Sequence, residues 1–186
     1  MLLPNLMADL DGNAETRTGT ISVFDGPPPA VQTFPSEDAE AGADAAWIRA
    51  RLAEGYLPDE IGVFVLSEAQ LHRARTAITQ DGQERVDLSD EIEAAAGRVA
   101  VSTMHLAKGL EFRAVVVMAC DEDVLPLPDR IETVTDDADL EEVYNTGRHL
   151  LYVACTRARD YLLITGVAPA SEFLRDFQPA KGRARA

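Results

Sequence analysis

The chain has 186 residues, 46% of them hydrophobic, and a formal net charge of −15 from 32 acidic against 17 Lys and Arg side chains. That describes one globular domain with a sizeable core, too apolar for a disordered acidic tail and without an apolar run near the roughly 20 residues of a membrane span. So acidic a balance argues against non-specific nucleic-acid binding, which depends on Lys and Arg displacing counterions, and a start at Met1 to Asn5 without a basic flank or long apolar stretch reads as cytoplasmic.

In chain order, Thr20 to Phe24 reads as a short strand before the proline run Pro27 to Pro29. Ser36 to Glu54 follows as an amphipathic helix carrying Ala39, Ala43, Ala46, Trp47, Ala50 and Leu52, stopped at Gly55. Ile61 to Leu66 is a buried strand. Ser67 with Gln70 three residues on predicts a capping box, opening a helix with Leu71, Ala74 and Ile78 inward and Gly82 past its end.

Val99 to Met104 is the next strand, followed by a polar loop and by Phe112 to Cys120, an apolar run of the kind buried on both faces. The acidic stretch Asp121 to Glu142 reads as a solvated loop leading to a helix around Leu140 to Arg159. Tyr161 to Thr165 is a last strand, and Ala170 to Phe177 a short closing helix. Alternating strands and helices predict an α/β fold with a mostly parallel sheet covered on both faces, with ligands beyond the carboxyl ends of the strands.

Cys120 and Cys155 are too few for a disulfide scaffold, and with His72, His105 and His149 they show no metal-ligand spacing; both read as buried thiols, with no metal site expected. Asp121, Glu122, Asp123 and Asp129 follow a strand, where a metal-dependent phosphoesterase would put oxygen ligands. Pro126 and Pro128 interrupt them and no His accompanies them, which favours a solvated loop.

Two segments carry the chemistry. The first, TMHLAKGLEF at Thr103 to Phe112, gathers a hydroxyl, an imidazole, one of the chain's two lysines, a glycine and a carboxylate. Gly109 permits close backbone approach to a phosphate, Lys108 is a point charge suited to one, and Thr103 and His105 can donate to phosphate oxygens. Glu111 could accept from a sugar hydroxyl. The same residues also fit a capped surface loop with Lys108 and Glu111 solvated.

The second is GRHLLYVACTRARDYLLIT, Gly147 to Thr165. Helical spacing puts Leu150, Val153 or Ala154, and Arg157 on one stripe, aiming a permanently charged guanidinium along the edge of the buried face. It can grip an anion in two places, as a transferring phosphoryl group requires, or simply complement the negative helix end. The chain contains no G-x-x-x-x-G-K-[ST] phosphate cradle.

In this order and with these flanks, TMHLAKGLEF and LLYVACTRARD followed by YLLITG closely resemble motifs V and VI of UvrD/Rep/PcrA-like superfamily 1 DNA helicases. IGVFVLSEAQLHRARTAI is a weaker match to the same domain. The resemblance implies a P-loop NTPase-like, RecA-like second motor domain without its own P-loop, with 1–19 an N-terminal remnant, 20–178 the domain and 179–186 a basic tail.

It also implies ATP with magnesium in a cleft against a first RecA-like motor domain of the same or a partner chain, and single-stranded DNA across their tops. Thr103 and His105 would contact DNA, Lys108 and Gly109 link that loop to the nucleotide side, Glu111 approach the ribose, and Arg157 act catalytically at the gamma-phosphate. Arg148 would be structural or an ion-pair partner, and Tyr152 would pack. The usual E-E-R-R lead into motif VI reads NTGRH, Asn145 to His149. The metal would be held mainly by the first domain, so the chain alone is expected to be inactive. The alternative is a non-catalytic, helicase-like interaction module.

Overall fold

The computed structural model describes residues 27–88 and 97–177. The strand expected at Thr20 to Phe24, the remnant 1–19 and the tail 179–186 lie outside the described residues.

The first element of the described residues is a strand the sequence does not announce, β1 (Ala30–Phe34), directly after the proline run. Helix α1 (Glu37–Ala53) starts one residue later than expected because Ser36 is its cap, its side chain accepting from the Ala39 amide at 3.3 Å, with acids in the first turn and Arg51 in the last. Its inward face differs from the expected one. Glu40, Ala41, Asp44, Ala45 and Ile48 are buried, whereas Ala46 and Ala50 are exposed. Alanines on every side of this helix leave its periodicity weak. Of the two acids that go inward, Glu40 meets Arg73 and the Ala119 amide, whereas Asp44 accepts from Thr165 on one oxygen only and its Oδ1 has no partner among the described residues.

Strand β2 (Ile61–Val65) is buried throughout. Ser67 makes no side-chain cap; a 3₁₀ turn at Glu68–Gln70 leads into α2 (Leu71–Thr79), and the Gln70 amide donates to the Ser67 carbonyl instead. Ala74, Ala77 and Ile78 face the core, and Gly82 follows with a positive φ of 74°.

After the three-residue β3 (Arg85–Asp87), β4 (Val99–Thr103) runs into a 3₁₀ turn at Met104–Ala107 and then β5 (Phe112–Val117). β5 stops short of Cys120 because Ala119 takes a left-handed φ of 57°. The acidic stretch holds a short helix, α3 (Pro128–Glu132), and the start of α4 (Asp137–Cys155), where the Asp136 side chain accepts from the Asp139 amide at 2.9 Å. β6 (Ala158–Val167) follows, and the expected closing helix is a 3₁₀ segment, Glu172–Phe177.

The six strands form one sheet in the order β1-β6-β5-β2-β4-β3, every pairing parallel. Asp44 and Arg51 of α1 reach Thr165 and Tyr161 of β6, which share one sheet face by their two-residue alternation, and α2 is tied to α1 through Arg73 and Glu40. Since β2 and the end of β5 are wholly buried, the opposite face is covered too, by α4, which packs on β5, β6 and the Met104–Ala107 turn. Val115, Val116 and Val117 are fully buried, each contributing about 1.5–3 kcal/mol of apolar transfer. Both cysteines are free and buried, and burial pushes their thiols up.

Candidate functional site

Thr103 closes β4 half-buried, and His105 and Lys108 stand exposed on the segment that follows. That segment crosses β2 to reach the start of β5, because β2 lies between β4 and β5 in the sheet. Gly109 takes a φ of 83°, a conformation that favours glycine, and open space surrounds the place a Cβ would occupy. The Leu110 amide donates to the Ala107 carbonyl at 3.2 Å, and Glu111 is exposed.

Arg157 is not on the helical stripe. Helix α4 ends at Cys155 with Thr156 as its C-cap, so Arg157 occupies the turn into β6. There its side chain is anchored at every nitrogen. Nε donates to the Val153 carbonyl at 3.0 Å, Nη1 to the Leu110 carbonyl at 3.2 Å and Nη2 to the Thr156 hydroxyl at 3.1 Å. The Phe112 amide in turn donates to the Arg157 carbonyl at 2.9 Å. Two segments distant in sequence thus meet, with Glu111 flanked by residues that bond directly to Arg157.

The candidate residues divide between the carboxyl and the amino ends of the parallel strands. Thr103 and His105 follow the carboxyl end of β4, whereas Glu111 and Arg157 precede the amino ends of β5 and β6. Only the first pair lies beyond carboxyl ends; the connection back across β2 delivers the second pair to the amino ends of β5 and β6. Arg148 reaches Asp176 at 3.4 Å and lies over the Phe173 ring, as an ion-pair partner should. Tyr152 is exposed rather than packed, because its position on α4 faces away from the core.

A buried polar network went unread in the sequence. Arg73 bonds Glu40 and also Asp121, at 2.5 Å to the latter; Glu40 accepts from the Ala119 amide at 3.0 Å, and Asp121 accepts from the Val167 amide at 2.5 Å. Burial would lower the Arg73 guanidinium, but its hydrogen bonds to Asp121 and Glu40 raise it overall, so it stays charged. Asp44 accepts from the Thr165 hydroxyl at 2.9 Å, and burial with the nearby Glu40 charge pushes it up to about 8. The signal available in the sequence was Glu40 and Asp44 four residues apart beside Ala41 and Ala45.

Asp121 is therefore a fastening between α2 and β6, and among the described residues no three His, Cys, Asp or Glu side chains gather as metal ligands. The donor chemistry at Arg157 fits a phosphate: two carbonyls and a hydroxyl orient the guanidinium, and among the described residues no carboxylate neutralises it. No helix of the described residues is long and apolar enough to cross a membrane.

The pattern of the UvrD-like helicase C-terminal domain matches residues 73–168, just over half of the chain. The chain is 40% identical over 86 residues to the ATP-dependent DNA helicase PcrA of Staphylococcus epidermidis, covering 46% of this chain and 11% of that protein. It is 34% identical over 116 residues to the ATP-dependent DNA helicase UvrD1 of Mycobacterium tuberculosis, covering 54% of this chain and 14% of that one. The chain thus spans a small part of these relatives' length. A solved structure described as the C-terminal domain of a possible DNA helicase from Lactobacillus plantarum WCFS1 superposes with a TM-score of 0.60 at 21% identity, over 84% of this chain and 86% of that one, which establishes the shared α/β fold. With the matched pattern, the chain belongs to the UvrD-like helicase C-terminal domain family.

Proposed function

We propose that this domain is the second motor half of an ATP-dependent DNA helicase or translocase, working against a first RecA-like domain of the same or a partner chain. The observation that carries the reading is the Arg157 guanidinium, oriented by Val153, Leu110 and Thr156 yet without a carboxylate partner among the described residues. Such a group holds its charge ready for an anion that arrives from outside the domain.

ATP with magnesium, held mainly by the first domain, supplies the scissile phosphoanhydride and the divalent charge that screens it. Arg157 offers a fixed positive charge where the transferred phosphoryl accumulates negative charge, as an arginine finger does. Glu111, on the residue between Leu110 and Phe112, accepts from a ribose hydroxyl, while Lys108 and Gly109 carry changes at that edge along the segment. Thr103 and His105, at the other end of the same segment, donate to phosphates of single-stranded DNA. Closing and opening the cleft then moves the DNA contact with the nucleotide contact, because one short segment bears both.

The test is ATP hydrolysis by the full chain alone and mixed with a first motor domain bearing a G-x-x-x-x-G-K-[ST] loop. The chain alone is expected to show no appreciable turnover, and the mixture to show DNA-stimulated turnover that depends on Arg157. Turnover in the mixture that ignores Arg157 favours the interaction module instead.

A further inference from the structure

At their amino-terminal ends β5 and β6 do not keep one register. Phe112 pairs with Ala158 but Ala114 pairs with Tyr161, so two steps along β5 answer three along β6. The surplus falls at Arg159 and Asp160, opposite Arg113, and a bulge of this kind bends its strand and re-aims the neighbouring side chains. The consequence for Arg157 follows from the pairing. Extending the Ala114–Tyr161 register backwards without a bulge would set Phe112 opposite Arg159, and the Phe112 amide would lose the Arg157 carbonyl as its acceptor. The Leu110 carbonyl, two residues earlier, would leave Nη1 of Arg157 with it.

Something must hold that surplus residue in place. The Asp160 carboxylate accepts from Nε of Arg113 at 2.7 Å and from the Tyr56 hydroxyl at 3.2 Å. The Arg113 guanidinium lies 4.2 Å from the centre of the Tyr56 ring, with Nη1 at 3.6 Å from Glu60, and the same ring meets Tyr161 edge-on at 5.9 Å. The bulge is thus fastened to β5 on one side and to the segment between α1 and β2 on the other. An ion pair as exposed as this one adds little to global stability, whereas a cross-strand pair at a bulge selects a register.

We propose that Asp160 is a positioning residue for Arg157, tying the β6 bulge to Arg113 and Tyr56 and so fixing the register in which the Arg157 guanidinium meets Leu110. Its functional meaning rests on the role proposed for Arg157; the register itself does not.

Hydrogen exchange read by NMR on the full chain tests it. In Asp160→Ala, exchange at the Phe112 amide and at the Arg157 Nε–H is expected to accelerate by about tenfold or more, while Val116 and Leu163 keep their protection. Tyr56→Phe, which removes only a hydroxyl, gives a smaller acceleration at the same two sites, and Asp160→Asn, which keeps an acceptor oxygen, restores much of the protection. Uniform acceleration across Phe112, Val116 and Leu163, or unchanged exchange at Phe112, overturns the proposal. In the assembly with a first motor domain, Asp160→Ala lowers kcat for ATP hydrolysis about tenfold and leaves KM within about twofold. Should Arg157→Ala leave that turnover unchanged, the role of Arg157 falls while the exchange pattern still decides the register.

Discussion

The Arg157 guanidinium donates to the Leu110 carbonyl at 3.2 Å, so the residue proposed to reach a phosphate is held by the same segment that bears the proposed DNA contacts. Thr103 and His105 lie at one end of that segment, and Leu110, Glu111 and Phe112 at the other.

The tie reaches into the core. Phe112 lies against Gly62 of β2, where a Cβ would come within 2.8 Å of its ring, and it meets Phe64 edge-on at 5.9 Å. Gly62→Ala is therefore expected to push Phe112 aside, costing about 1–3 kcal/mol by overpacking and loosening the Phe112–Arg157 bond. Urea unfolding measures the first effect, and exchange at the Phe112 amide the second.

The Asp44 carboxyl makes stability depend on pH. The unfolded chain releases this proton near the ordinary 3.8, whereas burial and the Glu40 charge, against the Thr165 hydrogen bond and Arg73, hold it in the folded chain up to about 8. Between those values the native state binds the extra proton, so the contribution is full at the acid end and falls as pH rises, by up to about 1.4 kcal/mol per pH unit. Asp44→Asn keeps an acceptor for Thr165 and removes the proton. It is expected to flatten the fall in urea midpoint between about pH 4.5 and 8 and to be more stable than the parent chain at the upper end.

DNA binding by the isolated domain should be weak and salt-sensitive. The net charge is −15, and from Asp121 to Glu142 ten acids stand against Arg130 alone. With only a few donors facing the backbone, fluorescence anisotropy on a single-stranded oligonucleotide should give a log–log salt slope near that of about one or two neutralised phosphates, roughly −0.7 each. Thr103→Val and His105→Ala should weaken binding without altering the fold, as far-ultraviolet circular dichroism can verify.

Much of this organisation is legible in the sequence, and the exceptions have physical causes. The valine run of β5 announces a strand buried on both faces, and the Thr103–Phe112 and Gly147–Thr165 segments announce the family. β1 was invisible because it is a short edge strand behind prolines with Gln32 and Thr33 exposed, and β3 because it has three residues. Apolar spacing alone extends α4 past Arg157, because it does not reveal that the helix stops at Thr156. The Asp160–Arg113–Tyr56 fastening was hidden for a different reason: which residues oppose one another across two strands depends on a register set by the folded sheet.

The proposed action of Arg157 on a phosphate held by another motor domain is measured directly by kcat for DNA-stimulated ATP hydrolysis in that assembly with Arg157→Ala and Arg157→Lys. A lysine cannot hold Val153, Leu110 and Thr156 while presenting a planar fork. Both variants are expected to lose about 10³-fold in kcat while their melting temperatures fall by only a few degrees. Turnover within about twofold of the parent chain in a folded Arg157→Ala assembly would rule out a phosphate contact by Arg157.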